Sequence, residues 1–350
     1  SSRVSGSEII SSNSKTSYNG NYGLNASWTI YNGSKRLKTL KQERLNNQVA
    51  ELDVATSENT IKESIAQIYI QILYAAESVR VNENTLQVSI AQRDRGQELL
   101  NAGSIAKSDF AQLEAQVSTD RYQLVTAQAT LQDYKLQLKQ LLELDGENEM
   151  NVYLPKLSDE NVLAPLPAKK DVYVSALAIR PEIEASKLNV EASELGIDIA
   201  KSSYFPTISL SAGIGTNHTS GSDFTFGEQV KNGWNNSIGL SVSVPIFNNR
   251  QTKSAVQKAK LQRETDMLSL LDEQKALYKT IESLWLDANS AQQRYAAANE
   301  KLRSTQISYD LISEQFNLGM KNTVELLTEK NNLLQAQQEQ LQAKYMAILN

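Results

Sequence analysis

The chain is 350 residues long, with 35 Lys and Arg against 40 Asp and Glu, a net charge of −5, one histidine and no cysteine. That composition excludes thiol catalysis, disulfides and most zinc sites, and the lack of any basic run argues against nucleic acid as a partner. No stretch approaches eighteen consecutive apolar residues, so no transmembrane helix is expected, and any membrane contact must be made by strands or an amphipathic face.

Residues 1 to 21 are rich in Ser, Asn and Gly; Arg3 to Ile10 hints at a strand, and the start Ser1-Ser2-Arg3 does not read as a signal peptide. From there Tyr22, Leu24, Ala26, Trp28 and Ile30 alternate with Gly23, Asn25, Ser27, Thr29 and Tyr31, which predicts a strand over 22–31 with one apolar face. Asn32-Gly33 ends it. No proline and almost no glycine follow as far as Leu99, which predicts one helix over 34–99, about 100 Å long at ~1.5 Å per residue. Its Ile61, Ile65, Ile68, Ile72, Ala75 and Val79 step by fours and threes as a coiled-coil seam, which loosens at Asn82, Ser89 and Arg93.

That helix stops at the turn Leu100-Asn101-Ala102-Gly103-Ser104-Ile105-Ala106-Lys107-Ser108-Asp109-Phe110. Glycine accepts the left-handed conformation that closes a helix, and Ser and Asp suit the first turn of the next. The return helix, 105–144, carries Phe110, Leu113, Val117, Leu124, Ala127, Leu131, Tyr134, Leu138 and Leu141 on one stripe, with Asp120 as the polar interruption. An irregular connector over 146–170 is marked by Gly146, Pro155, Pro165 and Pro167. A helix over 171–202 follows, interrupted or bent at Arg180-Pro181.

Alternation returns at Ile208, Leu210, Ala212 and Ile214, and again at Ile238, Leu240, Val242, Val244 and Ile246, predicting strands over 207–215 and 237–247 joined by a polar loop, 216–236. The second long helix, 250–315, has the clearest seam: Leu277, Ile281, Leu284, Ala288, Ala291, Tyr295, Ala298, Leu302, Tyr309, Ile312 and Phe316, interrupted at Thr305. A second turn, Phe316-Asn317-Leu318-Gly319-Met320-Lys321-Asn322-Thr323-Val324-Glu325-Leu326, leads into a helix over 321–349 with Leu327, Leu334, Leu341 and Ile348 every seven residues.

The two turns are 319 − 103 = 216 residues apart, and the same offset carries Gly23 to Gly239, Asn32 to Asn248, Ile65 to Ile281 and Leu86 to Leu302. The expected organisation is therefore a tandem duplication, 1–145 and 171–350, joined by 146–170. The counterpart of the helix 171–202 would precede Ser1, and the helical pattern is still running at Asn350, so the sequence is expected to be part of a longer product.

Strands of about ten residues with one apolar face and aromatic ends (Tyr22, Tyr31, Tyr204, Phe205, Trp234, Phe247) suit the staves of an outer-membrane barrel. A soluble sandwich with one polar face shares the alternation. About four strands per chain cannot close a barrel, and an open edge cannot sit in lipid, so membrane-spanning strands would require several chains to share one barrel.

The order strand, strand, long helix, tip, return helix, given twice, resembles the outer-membrane efflux channels of the TolC type. The motifs carrying the resemblance are Ala178-Ile179-Arg180-Pro181-Glu182-Ile183, Phe205-Pro206-Thr207-Ile208-Ser209-Leu210, Val244-Pro245-Ile246-Phe247-Asn248 and Phe316-Asn317-Leu318-Gly319, in order along nearly the whole chain. The resemblance implies a mainly α fold with a β-barrel part: a homotrimer with a shared twelve-stranded barrel in outer-membrane lipid and an α-helical barrel in the periplasm of a Gram-negative bacterium. Segments near 145–175 would form a belt around its waist. It further implies an export duct without cofactor or catalysis, served by a periplasmic adaptor protein and an inner-membrane pump of a tripartite efflux or type I secretion system.

By the same resemblance Asp109 and Lys321 form a link that holds the periplasmic end closed, with Phe316 where relatives often carry Tyr and Glu325 where an acidic ring can narrow the pore. Lys321 lacks the planar fork of an arginine, Phe316 has no hydroxyl, and Thr328 replaces a second acid. These are equally residues that a helix start would hold as ordinary first-turn charges. Ala102, Gly103, Ser104, Leu318, Gly319 and Met320 would meet the adaptor's hairpin tips, although the glycines have a structural reason of their own. Tyr22, Trp28, Tyr31, Trp234 and Phe247 would form the membrane girdle. The lone His218 is expected in a solvated loop, and no carboxylate pair or serine motif supports an enzyme. The rival is a soluble coiled-coil scaffold with capping strands.

Overall fold

A computed structural model describes residues 2–5, 8–11, 17–144, 151–155 and 162–349. Long helices dominate: α1 (Lys35–Asn101), α2 (Lys107–Leu141), α3 (Lys169–Ile179), α4 (Pro181–Lys201), α5 (Phe226–Asn232), α6 (Gln251–Asn317) and α7 (Thr323–Leu349). The strands are β1 (Ser2–Ser5), β2 (Glu8–Ser11), β3 (Asn19–Asn32), β4 (Thr207–Thr219) and β5 (Asn235–Ser243). The chain divides into two units, Ser1–Ala50 with Glu184–Leu270 and Glu51–Ile183 with Leu271–Asn350, so each sequence half contributes to both. Of the connector expected over 146–170, residues 146–150 and 156–161 lie outside the described residues.

In the first unit β1 and β2 pair antiparallel, with Ser5 opposite Glu8. The stretch Arg3 to Ile10, expected as one strand, is thus two. The larger sheet has the order β3-β4-β5, antiparallel throughout. Its register stacks Leu24 on Ile214, Ala26 on Ala212 and Ile238, and Trp28 on Leu210 and Leu240, so the period-two pattern of all three strands meets on one face.

Three details depart from the expected strands. The register shifts between Thr29 and Tyr31, so Ile30 is the extra residue of a bulge and Tyr31 lands opposite Ile208, on the apolar face rather than the polar one. β5 stops at Ser243 instead of 247, because Pro245 has no N–H to give to a ladder. β4 runs on to Thr219, and α5 occupies part of the supposed loop 216–236; Thr225 caps α5, accepting the Glu228 N–H while the Glu228 carboxylate accepts the Thr225 N–H.

The two junctions into the long helices α1 and α6 each use two successive left-handed residues, Gly33 and Ser34 (φ 65° and 64°) before α1 and Asn249 and Arg250 (φ 52° and 61°) before α6. The preceding asparagines support the new helices: Asn32 Oδ1 accepts from Arg36 N at 3.3 Å, and Asn248 Nδ2 bonds Thr252 Oγ1.

In the second unit the helices bury the stripes read from the sequence. Ile72, Ala75, Leu113, Val117, Leu138, Ala288, Ala291, Tyr295 and Phe316 are all buried, and Leu73, Leu341 and Tyr345 form a cluster walled by Tyr69, Ile70, Tyr74 and Ile348. The seam of α1 does not loosen at Asn82 and Ser89. Both are buried, Asn82 donating to Ser78 O at 2.7 Å, so polar side chains continue the seam with their hydrogen bonds made.

Arg180 takes an extended ψ of 121° before Pro181, which divides the helix expected over 171–202 into α3 and α4. The segment entering α3 is strapped along α6: Gln292 donates to Val162 O and Ala164 O, Trp285 Nε1 donates to Pro167 O at 3.0 Å, and Lys169 pairs with Glu282 beneath the Trp285 ring.

Candidate functional site

The two helical tips are built by the same bonds. At the first, Gly103 N donates to Leu100 O at 3.0 Å and Ser104 N to Leu99 O at 2.8 Å; at the second, Gly319 N donates to Phe316 O at 2.9 Å and Met320 N to Gln315 O at 2.8 Å. This paired closure requires a left-handed residue, and Gly103 and Gly319 supply it with φ of 72° and 76°. A methyl group added at either glycine would meet nothing within 4 Å, so the requirement is one of backbone conformation and not of space. Leu318 and Met320 stand 69% and 70% exposed beside Gly319, an apolar pair with no cover from this chain. Ala102, Gly103 and Ser104 are exposed as well.

Beyond each glycine an acid sits on the third residue of the return helix and caps it. Asp109 Oδ2 accepts from Ala106 N at 3.3 Å, and Glu325 Oε2 accepts from Asn322 N at 3.1 Å. Asn322 reciprocates, its Oδ1 accepting from Glu325 N at 2.9 Å, whereas Ala106 has no side chain to do so. Asp109 and Glu325, given different roles by the resemblance, therefore occupy equivalent positions, 216 residues apart.

Lys321 pairs with Glu325 at 2.5 Å. The Lys321 bond, followed by the Asn322 N–H, holds the Glu325 carboxyl below its ordinary value. No bond between Asp109 and Lys321 occurs within the chain among the described residues. Phe316 is buried, which fits a side chain that packs under the turn and needs no hydroxyl.

Above the tips lies a group that sequence reasoning missed. Asp120, which in sequence breaks the apolar stripe of α2, is 1% exposed and pairs with Lys330, itself 3% exposed. Ser89 completes the cluster: it donates to Asp120 Oδ2 and accepts from the Lys330 ammonium, which also donates to Asp120 Oδ2. Gln116 Nε2 donates to Asp120 Oδ1 at 2.9 Å. Burial pushes the Lys330 ammonium below its ordinary value, while Asp120 pulls it back up. The available signal was the spacing Leu326, Lys330, Leu333, which places the lysine on the buried face of α7.

The other candidate surface is the apolar face of β3-β4-β5. Trp28 is 60% exposed, Leu240 67% and Ile238 84%, all on one side of a three-stranded sheet. Tyr22 and Tyr31 pair with Thr216 and Ile208, eight residues apart on β4, about 27 Å along the strand at ~3.4 Å per residue. Trp28 lies one row inside Tyr31, Trp234 immediately precedes β5, and Phe247 lies beyond its end, exposed.

α5 folds onto this same side at the far end of β4, where Thr216 donates to Val230 O at 3.0 Å and the Phe226 ring packs against Tyr22 and His218. His218 is accordingly a strand residue opposite Gly20 and not a loop residue. No helix of the described residues is long and apolar enough to cross a membrane, and none of their carboxylates, or His218, gather into a cluster that could hold a metal ion.

The sequence matches the family model for the outer membrane efflux protein over residues 1–143 and 172–348. It is 26% identical over 294 residues to outer membrane efflux protein BepC of Brucella suis biovar 1 (strain 1330), an alignment covering 83% of this chain and 61% of that protein. It is 24% identical over 341 residues to outer membrane protein TolC of Escherichia coli strain K12, covering 93% and 66% respectively. The chain thus spans somewhat less than two thirds of each relative. Among solved structures the fold is similar to that of CusC, with a TM-score of 0.80 at 20% identity, covering 97% of this chain and 77% of that one.

Proposed function

The chain belongs to the outer membrane efflux protein family, and from that premise we propose that it is the wall of an export duct, three copies of which share one barrel in the outer membrane of a Gram-negative bacterium. The carrying observation is the β3-β4-β5 sheet: beyond the end covered by α5, one face presents Leu24, Trp28, Ile238, Leu240 and Val242 exposed, and the outer edges of β3 and β5 have no strand partner among the described residues. Lipid accepts an apolar face but not an open edge, so further strands from neighbouring copies must complete the ladder. In a strand tilted by about 40° the ~27 Å from Tyr22 to Tyr31 rise about 21 Å, most of the roughly 25 Å apolar band of such barrels, which supports Tyr22, Trp28, Tyr31, Trp234 and Phe247 as a girdle.

In this reading 1–145 and 171–350 are two structural repeats joined by 146–170. The matching bonds at both tips and at the junctions into α1 and α6 support a duplication. The helical hairpins form the periplasmic α-barrel, and the exposed Leu318 and Met320, with Ala102, Gly103, Ser104 and Gly319, offer the contact for an adaptor that couples the duct to an inner-membrane pump. The duct performs no chemistry and takes no cofactor; the pump supplies the energy. A soluble scaffold gives the exposed strand face nothing to do.

Molar mass and detergent dependence of the full-length product extracted from membranes test the proposal. A stable trimer that needs detergent is expected, whereas a monodisperse species soluble without detergent overturns it. The gate is tested separately. Because Lys321 is paired with Glu325 in its own chain, a link to Asp109 has to compete for it, so Asp109→Ala raises the conductance of the isolated channel if the link closes the pore. Unchanged conductance removes Asp109 from the gate.

A further inference from the structure

Pairs such as Lys169–Glu282, Lys301–Glu339 and Lys321–Glu325 keep both side chains at least a quarter exposed, whereas Asp120 and Lys330 are shut away from water together. Two charges in a helical interior are costly, and a well-packed apolar pair of similar volume would stabilise the same contact as well or better. What the pair adds is positional. Ser89 is on α1, Asp120 on α2 and Lys330 on α7, so the bonds tie the first hairpin to the return helix of the second. Gln116, one turn before Asp120, reaches across to Asn331 at 3.4 Å and repeats the tie.

A slide of α7 by one residue, ~1.5 Å, or a splay of its tip end, parts a pair that has no water to replace the lost partner. An apolar layer would tolerate the same slip. Lys330 follows Gly319 by eleven residues, about 16 Å along α7, so the tie lies close enough to the second tip to govern its direction.

We propose that Ser89, Asp120 and Lys330 are an internal latch that fixes the register of α7 on the α1–α2 hairpin, so that the second tip cannot move away from the first without unpairing the buried charges. The importance of the latch for gating rests on the duct reading; the latch itself does not. These are positioning residues, acting on the tips through the helices. They are distinct from the exposed Lys321–Glu325 pair, which lies within one turn of α7 and its approach and ties no two helices together.

The chain has no cysteine, so two can be introduced without removing any. The test places spin labels on cysteines at Ala102 and Leu318 of the full-length product, with labelled chain diluted in unlabelled chain so that only distances within one chain register. The parent is expected to give one narrow distance. Asp120→Asn and Lys330→Met broaden it or add a longer distance, Ser89→Ala does so less, and the reversed pair D120K with K330D narrows it again. Lys62→Met, which breaks an exposed pair within one turn of α1, leaves it unchanged.

Distributions in the single variants as narrow as the parent's overturn the latch, as does a reversed pair no narrower than the singles, since loss of packing alone would not respond to charge complementarity. Should either single variant fail to fold, Ser89→Ala and the reversed pair carry the same decision. Conductance of the same variants separates the two readings: broadened distances with unchanged conductance leave the latch standing and remove the tips from the gate.

Discussion

Ala106 and Asn322 occupy the same place in the two tips, one residue before a helix, and only Asn322 can accept a hydrogen bond from the turn that follows. Asn322→Ala should therefore cost about 1 kcal/mol of local helix stability, read as faster amide exchange in the first turn of α7. Ala106 is already extended, with φ −77° and ψ 157°, so Ala106→Asn should slow exchange in the first turn of α2 by a comparable factor. Charge acts at the same place. The folded-state pKa of Glu325 lies below its ordinary 4.5, so its contribution is present above that value and is lost as pH falls through the folded value. Protection of the Asn322 and Glu325 amides should drop in that acid window in the parent; Glu325→Gln should begin less protected and show no acid step, and an acid step persisting in the glutamine variant would assign the titration elsewhere. Asp109 and Glu325 were visible in the sequence as first-turn acids, and their capping bonds follow from that position. Lys330 was outweighed despite its spacing from Leu326 and Leu333, because a lysine on a long helix is ordinarily solvated, and its partner Asp120 stood out only as an interruption.

Among elements, helices and strands were legible because their periods differ and each pattern ran long enough to declare itself. What went unread depended on partners or on short-range chemistry. The bulge at Ile30 is a property of the β3–β4 ladder and has no signature in β3 alone, and it moves Tyr31 to the other face. The early end of β5 was legible in Pro245, and α5 in the capping box Thr225-Phe226-Gly227-Glu228, two signals overridden by alternation and polarity. The glycines at element junctions now separate into two kinds. Gly103 and Gly319 need only their positive φ, so Gly103→Ala and Gly319→Ala should each cost about 1–2 kcal/mol and leave the fold intact. A methyl at Gly33 would also lie 2.7 Å from Ser202 O and 2.9 Å from Phe205 Cβ. Thermal unfolding should rank Gly33→Ala well below the two tip variants; an equal Tm for all three would mean that the β3–α1 junction yields more easily than its packing implies.

For the whole molecule, the question is which surfaces are wet. A sheet whose exposed face is built from Leu24, Trp28, Ile238, Leu240 and Val242 is stable in water only under a cover, and in lipid it needs none. The three tryptophans of the chain are placed to distinguish the cases. Trp28 lies on β3 opposite Leu210, on the apolar face, Trp234 stands at the entry to β5, and Trp285 lies on α6 with its indole N–H bonded to Pro167 O. Variants keeping one tryptophan each, the others replaced by phenylalanine, can be reconstituted with lipids brominated along the acyl chain, which quench only an indole they touch. Trp28 and Trp234 should be quenched and Trp285 should not. Quenching of all three would mean that the helical part also contacts lipid, which its charged, solvated faces do not permit. A Trp28 that escapes quenching in a folded preparation would mean that protein covers the sheet, and the chain would then have to bury its apolar face against another copy. In that arrangement the open edges of β3 and β5 would no longer demand a barrel, because water could satisfy them. The fluorescence of one residue therefore decides whether three chains close a pore in lipid or stack their sheets face to face.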